Sequence, residues 1–488
     1  MSLFNTNIQP LTYIPRSITN TAMLTYVLAL VACNVVFSQY PLPIQYWAFG
    51  IVEVCVFFYF ANDLSKQWHN ISPRQFTKKV FWTALALRVA FVIFTYWLYN
   101  QQTGTPFSVG AADELYYNEA ARYVSHLLRE GQFDIYPKLQ AYGDAAFSDM
   151  GYPIYLGIVY FLSGDSILVA RLVKAIWGAW TAVLIYKLAM RNFGDHTARI
   201  AAILCVLMPN LIYYCSFQLK EVEMVFLATL FAERADYVLQ KGKLVFWQVA
   251  LLMLLAAYMF MIRTALGAVL VLAFMVTLLL SSTRVVSWGK RILLILAAGI
   301  FIGVILLNNT AITQDVRSMA ETGASEQKGN MEWRSTREGK HGRNQSFAKY
   351  AGAAVFAPMI FTIPFPTMTD TPGQENQKMI HGGNFCKNIT SFFTILALFI
   401  LLFTGDWRRH VLPISLMCGY LVVLAFSNFA QSERFHQPTL PFAIMFAAYA
   451  ISYMNNPAYK RWFKIWCAVM FVAALAWNWF KLAGRGMI

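Results

Sequence analysis

Apolar runs of about 17–25 residues recur along the whole chain, and that length is what a helix needs to cross a hydrocarbon core of about 30 Å. About thirteen such runs can be marked, near 23–40, 45–62, 80–99, 166–190, 198–216, 222–240, 244–261, 265–282, 291–307, 389–404, 411–428, 437–454 and 462–481. The chain is 58% hydrophobic and only 13% charged, whereas soluble domains carry about a quarter charged residues. An ordinary soluble enzyme, a disordered chain and a fibrous one are excluded. The expected fold class is an all-α polytopic membrane protein of about thirteen transmembrane helices, with two extracytoplasmic loops carrying amphipathic surface helices.

The runs divide the chain into N-terminal transmembrane helices (1–99), a first outer loop with an acidic motif (100–165), a transmembrane core (166–307), a second outer loop (308–388) and C-terminal transmembrane helices (389–488). Lys and Arg number 39 against 24 Asp and Glu, a net charge of +15. Clusters at Lys66, Arg74, Lys78 and Lys79, at Arg191 and Arg199, at Lys241 and Lys243, at Arg284, Lys290 and Arg291, at Arg408 and Arg409, and at Lys460, Arg461 and Lys464 all fall on one side of an alternating path. Cytoplasmic loops collect such cations, so that side reads as cytoplasmic, with the N-terminus inside and both long loops outside. The basic excess then needs no nucleic acid. Lys481 and Arg485 do not fit this pattern.

The seven cysteines are odd in number, lie mostly in apolar runs and form no CxxC. They read as small buried hydrophobes, and nothing demands a Cys215–Cys386 bridge. The seven histidines include no HExxH pair, which leaves a zinc protease without support. Leu30-Val31-Ala32-Cys33 resembles a lipoprotein box, but the apolar run continues past it as a spanning helix would, and no cleavable signal peptide is read. Glu53 and Arg88 fall mid-span in neighbouring runs. A charge in the membrane is costly unless paired, so these two are expected to form a structural ion pair. No internal repeat of the kind many carriers show is evident.

In the first outer loop, Tyr116, Ala120, Tyr123, Val124, Leu127 and Leu128 recur at helical spacing, opposite Asn118, Arg122, Ser125 and Arg129. The pattern predicts an amphipathic helix on the membrane surface. Asp113-Glu114 opens it, and either a helix-capping role or a catalytic one suits an acidic pair there. Residues 151–164 form an apolar piece too short to span, opened by Pro153 and closed by Gly164. The second loop is polar in its first half, which suggests a lid ordered by substrate. From Tyr350 to Pro366 it turns apolar and is expected to lie on the membrane.

These motifs together resemble the GT-C glycosyltransferases, in the branch of glycosyltransferase family 39 that contains the protein O-mannosyltransferases and the aminoarabinose transferase of lipid A. The resemblance is carried by Asp113-Glu114-x-x-Tyr117-x-x-Ala120-Ala121-Arg122, then Gly151-Tyr152-Pro153-x-Tyr155-Leu156, Phe161-Leu162-x-Gly164 and Ala170-Arg171-Leu172. Pro209, Leu219-Lys220-Glu221 and Arg434-Phe435-His436-Gln437-Pro438 follow in the same order. It covers about 105–265 well and 430–445 more weakly. Two departures stand out: two extra helices precede the acidic loop, and Asp149 stands where a basic residue often precedes the proline of the second loop helix.

The resemblance implies a GT-C fold and transfer of a sugar from a polyprenyl-phosphate donor to a protein, lipid or glycan acceptor on the extracytoplasmic face, in a bacterial inner membrane. It implies Asp113 as catalytic base, with Glu114 and Glu221 as further acidic groups. Any divalent metal would bind these three. Arg171, Lys174, Lys220, Arg263 and Arg434 are the implied donor-phosphate cations, and Tyr117, Tyr152 and His436 implied substrate contacts. A polymerase or ligase using a lipid diphosphate, and a non-enzymatic flippase of lipid-linked sugar, are the alternative readings. The acidic pair speaks against the first. The gathering of charge at the outer rim, away from any central cavity, speaks against the second.

Overall fold

The computed structural model describes residues 10–143, 147–241, 245–280, a few positions between 289 and 303, 356–427 and 430–488. Among these, regular structure is helical except for one antiparallel bridge between Pro41 and Thr369. The chain opens with α1 (Arg16–Val36), α2 (Ile44–Gln67) and α3 (Pro73–Thr103). The first loop holds α4 (Ala112–Arg129), α5 (Ile135–Gly143) and α6 (Phe147–Ser163). Then come α7 (Ile167–Phe193), α8 (Asp195–Leu207), α9 (Pro209–Tyr213), α10 (Glu221–Lys241), α11 (Phe246–Ile262) and α12 (Thr264–Leu280). The C-terminal part supplies α13 (Glu375–Met379), α14 (His381–Thr404), α15 (Val411–Ala425), α16 (Glu433–His436), α17 (Leu440–Ser452) and α18 (Pro457–Ala483).

Local chemistry sets the helix ends. Ser72 caps α3 by accepting from the Gln75 amide at 3.4 Å, Pro73 takes the first helical position, and Gly104, in the left-handed region at φ 70°, closes the helix. Asn456 and Pro457 open α18 in the same way, with Ala458 N 3.0 Å from the Asn456 side chain. Six helices (α1, α2, α3, α7, α14 and α18) are long and apolar enough to cross a membrane. The pair α8–α9, bent by 53°, makes a seventh if counted as one broken span. α11, α12 and α15 are apolar but shorter, at 17, 17 and 15 residues. By length and composition the described helices establish six or seven spans, which leaves the expected count of about thirteen unconfirmed. Most of the expected span at 291–307, and the polar half of the second loop read as a lid, lie outside the described residues.

The expected Glu53–Arg88 ion pair does not form. α2 packs on α1, α8 and α14, while α3 packs on α7, so neighbours in sequence turn their charges in different directions. Each charge instead serves a helix end. Pro209 has no N–H to offer the Cys205 carbonyl, so the break between α8 and α9 strands main-chain acceptors. Arg88 donates to the carbonyls of Cys205 at 3.3 Å and Val206 at 3.4 Å. Glu53 accepts from the Gly383 amide at 2.9 Å, at the positive end of α14. A Cβ on Gly382 would come within 2.6 Å of the Gly50 carbonyl oxygen and 2.7 Å of that carboxylate, which explains a glycine there.

The apolar end of the second loop is not a membrane-surface segment either. Ile363, Phe365 and Met368 are buried in the core. The segment threads between α14 and α18 as a strap whose main chain is satisfied by side chains: Asn388 donates to Pro364 O at 3.1 Å, and Asn478 donates to Pro366 O at 3.1 Å and accepts from Met368 N at 2.7 Å. A buried strap must pair its backbone polar groups, and these asparagines do so. The expected span from 389 accordingly begins earlier, at His381.

Candidate active site

The start of α4, the turn after α9, Arg263 between α11 and α12, α13, the start of α16 and the end of α18 meet around one large cavity of about 810 Å³. α4 builds one wall. Its apolar stripe packs on α5 and α6 rather than on lipid alone. The opposite stripe is only partly solvated: Asn118 is buried and accepts from Tyr160 OH at 2.7 Å, and Ser125 is buried and bonds Asp165 at 2.8 Å. Arg129 closes the same contact as an ion pair with Asp165 at 2.9 Å.

Asp113 and Glu114 occupy the first turn of α4, but neither caps it; Ala111 holds that position without a side-chain bond. Successive residues on a helix point about 100° apart, and the two carboxylates part company. Asp113 is 61% exposed at the cavity and pairs with Arg434. Glu114 is only 2% exposed and is consumed by four donors. Ser108 Oγ lies 2.5 Å away and Ser108 N 3.3 Å, on one oxygen. Gln218 N at 3.0 Å and Arg171 at 3.4 Å take the other.

Arg434 is the hub. Its Nη1 binds Asp113 from α4, and its Nε binds the buried Glu221 at the start of α10. One guanidinium thus joins carboxylates from two distant stretches of sequence, a use suited to its rigid fork of donors. Lys220 and Arg263 line the same cavity. Lys220 pairs with Asp149, which also accepts from Tyr117 OH at 3.0 Å. Burial opposes ionisation of Asp149, but Lys220, the Tyr117 hydroxyl and Arg263 outweigh it and hold the carboxyl below the usual aspartate range. The contribution of this pair is therefore present at neutral pH and lost only as acid protonates Asp149, below the ordinary carboxylate range.

Glu221 is fully buried behind Arg434 and does not itself line the cavity, and four further implied site residues lie elsewhere. Arg171 and Lys174 are fully buried and do not line the cavity. Both sit on one face of α7, and that face turns inward, against the turn that follows α9. Lys174 donates to Phe217 O at 2.9 Å and to Leu219 O, with Glu223 at 3.4 Å. Lys174 braces the loop that presents Lys220 directly, and Arg171 does so through Glu114, which accepts from Gln218 N. Tyr152 is buried with its ring under the Lys174 ammonium, 4.9 Å away. His436 is buried too, its Nε2 2.8 Å from Ala430 O, and it lines a separate small pocket. Arg171→Met should lower thermal stability in detergent by about 3–5 kcal/mol, because it strands the buried Glu114 charge. Adding Glu114→Gln should recover part of that loss. Simple addition of the two losses would show that the pair is not the source.

Sequence reasoning missed the far wall of the cavity. Glu433, the polar residues of α13, and Trp477, Phe480, Lys481 and Arg485 at the end of α18 all line it. Lys481 donates to Thr367 Oγ1 and to Gln374 Oε1, each at 2.8 Å, tying α18 to the strap and to α13. Lys481 and Arg485 violate the charge rule because they belong to the cavity, and that violation was the available signal.

The acidic trio does not fit a divalent ion. Arg434 stands between Asp113 and Glu221, and Glu114 is turned into the protein by its donors. Among the described residues no three His, Cys, Asp or Glu side chains gather as a metal site.

No curated protein matches the chain. Residues 150–307, from α6 through α12 and beyond, match the family of dolichyl-phosphate-mannose-protein mannosyltransferases. Long apolar helices mark the chain as an integral membrane protein, and this match over about a third of its length is consistent with a glycosyltransferase of the GT-C superfamily.

Proposed function

We propose that the protein transfers a sugar from a polyprenyl-phosphate donor to an acceptor hydroxyl at the extracytoplasmic face of a bacterial inner membrane. The observation that carries this reading is Arg434, held between Asp113 and Glu221 beside a cavity that Lys220 and Arg263 also line. An acid next to a cluster of cations is what this chemistry requires. Asp113 accepts the acceptor's hydroxyl proton while that oxygen bonds the anomeric carbon. The bond from that carbon to the phosphate oxygen breaks, and the carrier leaves as polyprenyl phosphate with one more negative charge. Arg434, Lys220 and Arg263 neutralise that charge as it develops, where it stabilises the transition state most. Arg434 suits a switching role, because its partner Asp113 is the exposed one. When donor phosphate engages the guanidinium, Asp113 is released toward the acceptor.

Helix direction supports the proposed side. α7 begins by the cavity at Arg171 and ends at Arg191, and α18 begins near Lys460 and ends at the cavity with Lys481. The basic clusters at Lys66, Arg74, Arg191, Arg199, Lys241 and Arg408 therefore lie at the end opposite the cavity. The positive-inside rule makes that end cytoplasmic. Deleting the gene should cause one sugar-phosphate lipid to accumulate in the lipid-linked pool, as read by mass. An unchanged pool of phosphate-linked sugars, or accumulation of a diphosphate-linked glycan instead, would refute the donor assignment.

A further inference from the structure

The far wall of the cavity carries a polar network with no part in the proton or phosphate steps. Glu433 is 2% exposed, lines the cavity, and, unlike Asp113, Glu221 and Asp149, forms no ion pair among the described residues. Its carboxylate is held in place from two sides. Tyr214 OH donates to Oε1 at 2.7 Å, and Gln377 of α13 donates to Oε2. Tyr213, the neighbour of Tyr214, binds the adjacent α13 residue through Asn376 Oδ1 at 3.4 Å. The other end of the Gln377 amide, Oε1, is buried without a partner.

We infer that Glu433 and Gln377 read the donor sugar, and that the sugar is one with adjacent hydroxyls and no carboxylate. Placement supports this. Glu433 and Arg434 line the same cavity, so a sugar bonded to a phosphate at Arg434 shares that space with the Glu433 carboxylate. Chemistry supports it too. Each carboxylate oxygen has two lone-pair sites, so both oxygens of Glu433 can accept a hydroxyl beyond their present bonds, and Gln377 Oε1 adds a third acceptor. Hydrogen bonds to an ionised acceptor are the stronger kind, and adjacent hydroxyls match the spacing of a planar carboxylate or amide. Tyr213, Tyr214 and Trp477 line the same cavity and offer apolar surface to the C–H face of a pyranose. A uronic acid would set its own charge against Glu433 and Asp113, a repulsion that selects against it.

This inference rests on the proposed donor class, and one binding experiment separates the two. Purified full-length protein in nanodiscs is titrated with bare polyprenyl phosphate, with a panel of neutral polyprenyl-phosphate hexoses and N-acetylhexosamines, and with a polyprenyl-phosphate uronate. Wild type should bind the best neutral member more tightly than the bare carrier, and the uronate more weakly than that member. Glu433→Gln and Gln377→Ala should each weaken the best neutral donor by about tenfold, the order of one or two lost charge-assisted hydrogen bonds, while changing bare-carrier affinity less than about twofold. The bare carrier also reports that each variant is folded. In Glu433→Gln the discrimination against uronate should narrow. Variants that keep full affinity for the sugar donor, or that lose carrier and donor equally, would overturn the inference. A wild type that binds neither carrier nor donor would instead overturn the donor class.

Discussion

Arg434→Met should reduce sugar transfer by at least about a hundredfold, with donor affinity and turnover falling together. The substitution removes the cation proposed to face the leaving phosphate and at the same time strands Glu221, which is buried and loses the Arg434 partner of its Oε1. Breaking a buried charge pair by removing one member costs about 3–5 kcal/mol, and each 1.4 kcal/mol or so on a barrier is about tenfold in rate. Arg434→Lys should restore charge without the fork that reaches Asp113 and Glu221 together, and so recover only part of the rate. A Met change at Arg409, exposed at the opposite end of the bundle, should leave transfer near wild type. Initial rate against donor concentration checks all three. Wild-type kinetics in Arg434→Met would remove the phosphate role from this residue.

Asp113→Asn should lose about 10²–10⁴-fold in turnover, the usual worth of a general base, while expression and thermal stability stay near wild type. The structure makes this variant cleaner than the sequence alone could promise. Asp113 is exposed, caps nothing and keeps a hydrogen-bonding oxygen toward Arg434 as Asn. Glu114→Gln should behave in the opposite manner, with stability lost first, because its carboxylate is a buried anchor for Ser108, Gln218 and Arg171. An active Asp113→Asn enzyme would transfer the base role elsewhere.

How far the sequence could be read depended on the range of the interaction. Apolar length is local, and it located α1, α2, α3, α7, α14 and α18 to within several residues. Pro209 was legible as a motif, but its consequence was not. The bend frees carbonyls that Arg88, more than a hundred residues earlier, satisfies. Helical depth told that Arg171 and Lys174 sit near the N-terminal end of α7. It could not tell that the face they share turns inward onto the Phe217–Leu219 turn, because that depends on which helix packs there. Glu433 and Gln377 were invisible for a similar reason. They lie in short polar stretches without periodicity, and their meaning comes from Tyr214, on a different segment of the chain. The Asp149 departure was noticed, and the structure supplies its cause: an acidic residue there is matched to Lys220.

The central claim is that this cavity breaks the bond between sugar and polyprenyl phosphate with Asp113 as base. It is tested most directly by incubating the purified protein in nanodiscs with a labelled polyprenyl-phosphate sugar and membrane extract as acceptor source, and following both products by mass. The account predicts that free polyprenyl phosphate and sugar-modified acceptor appear in equal amounts with wild type, and that neither appears with Asp113→Asn or Arg434→Met. Transfer from a diphosphate-linked donor instead, or equal product from wild type and both variants, would contradict it.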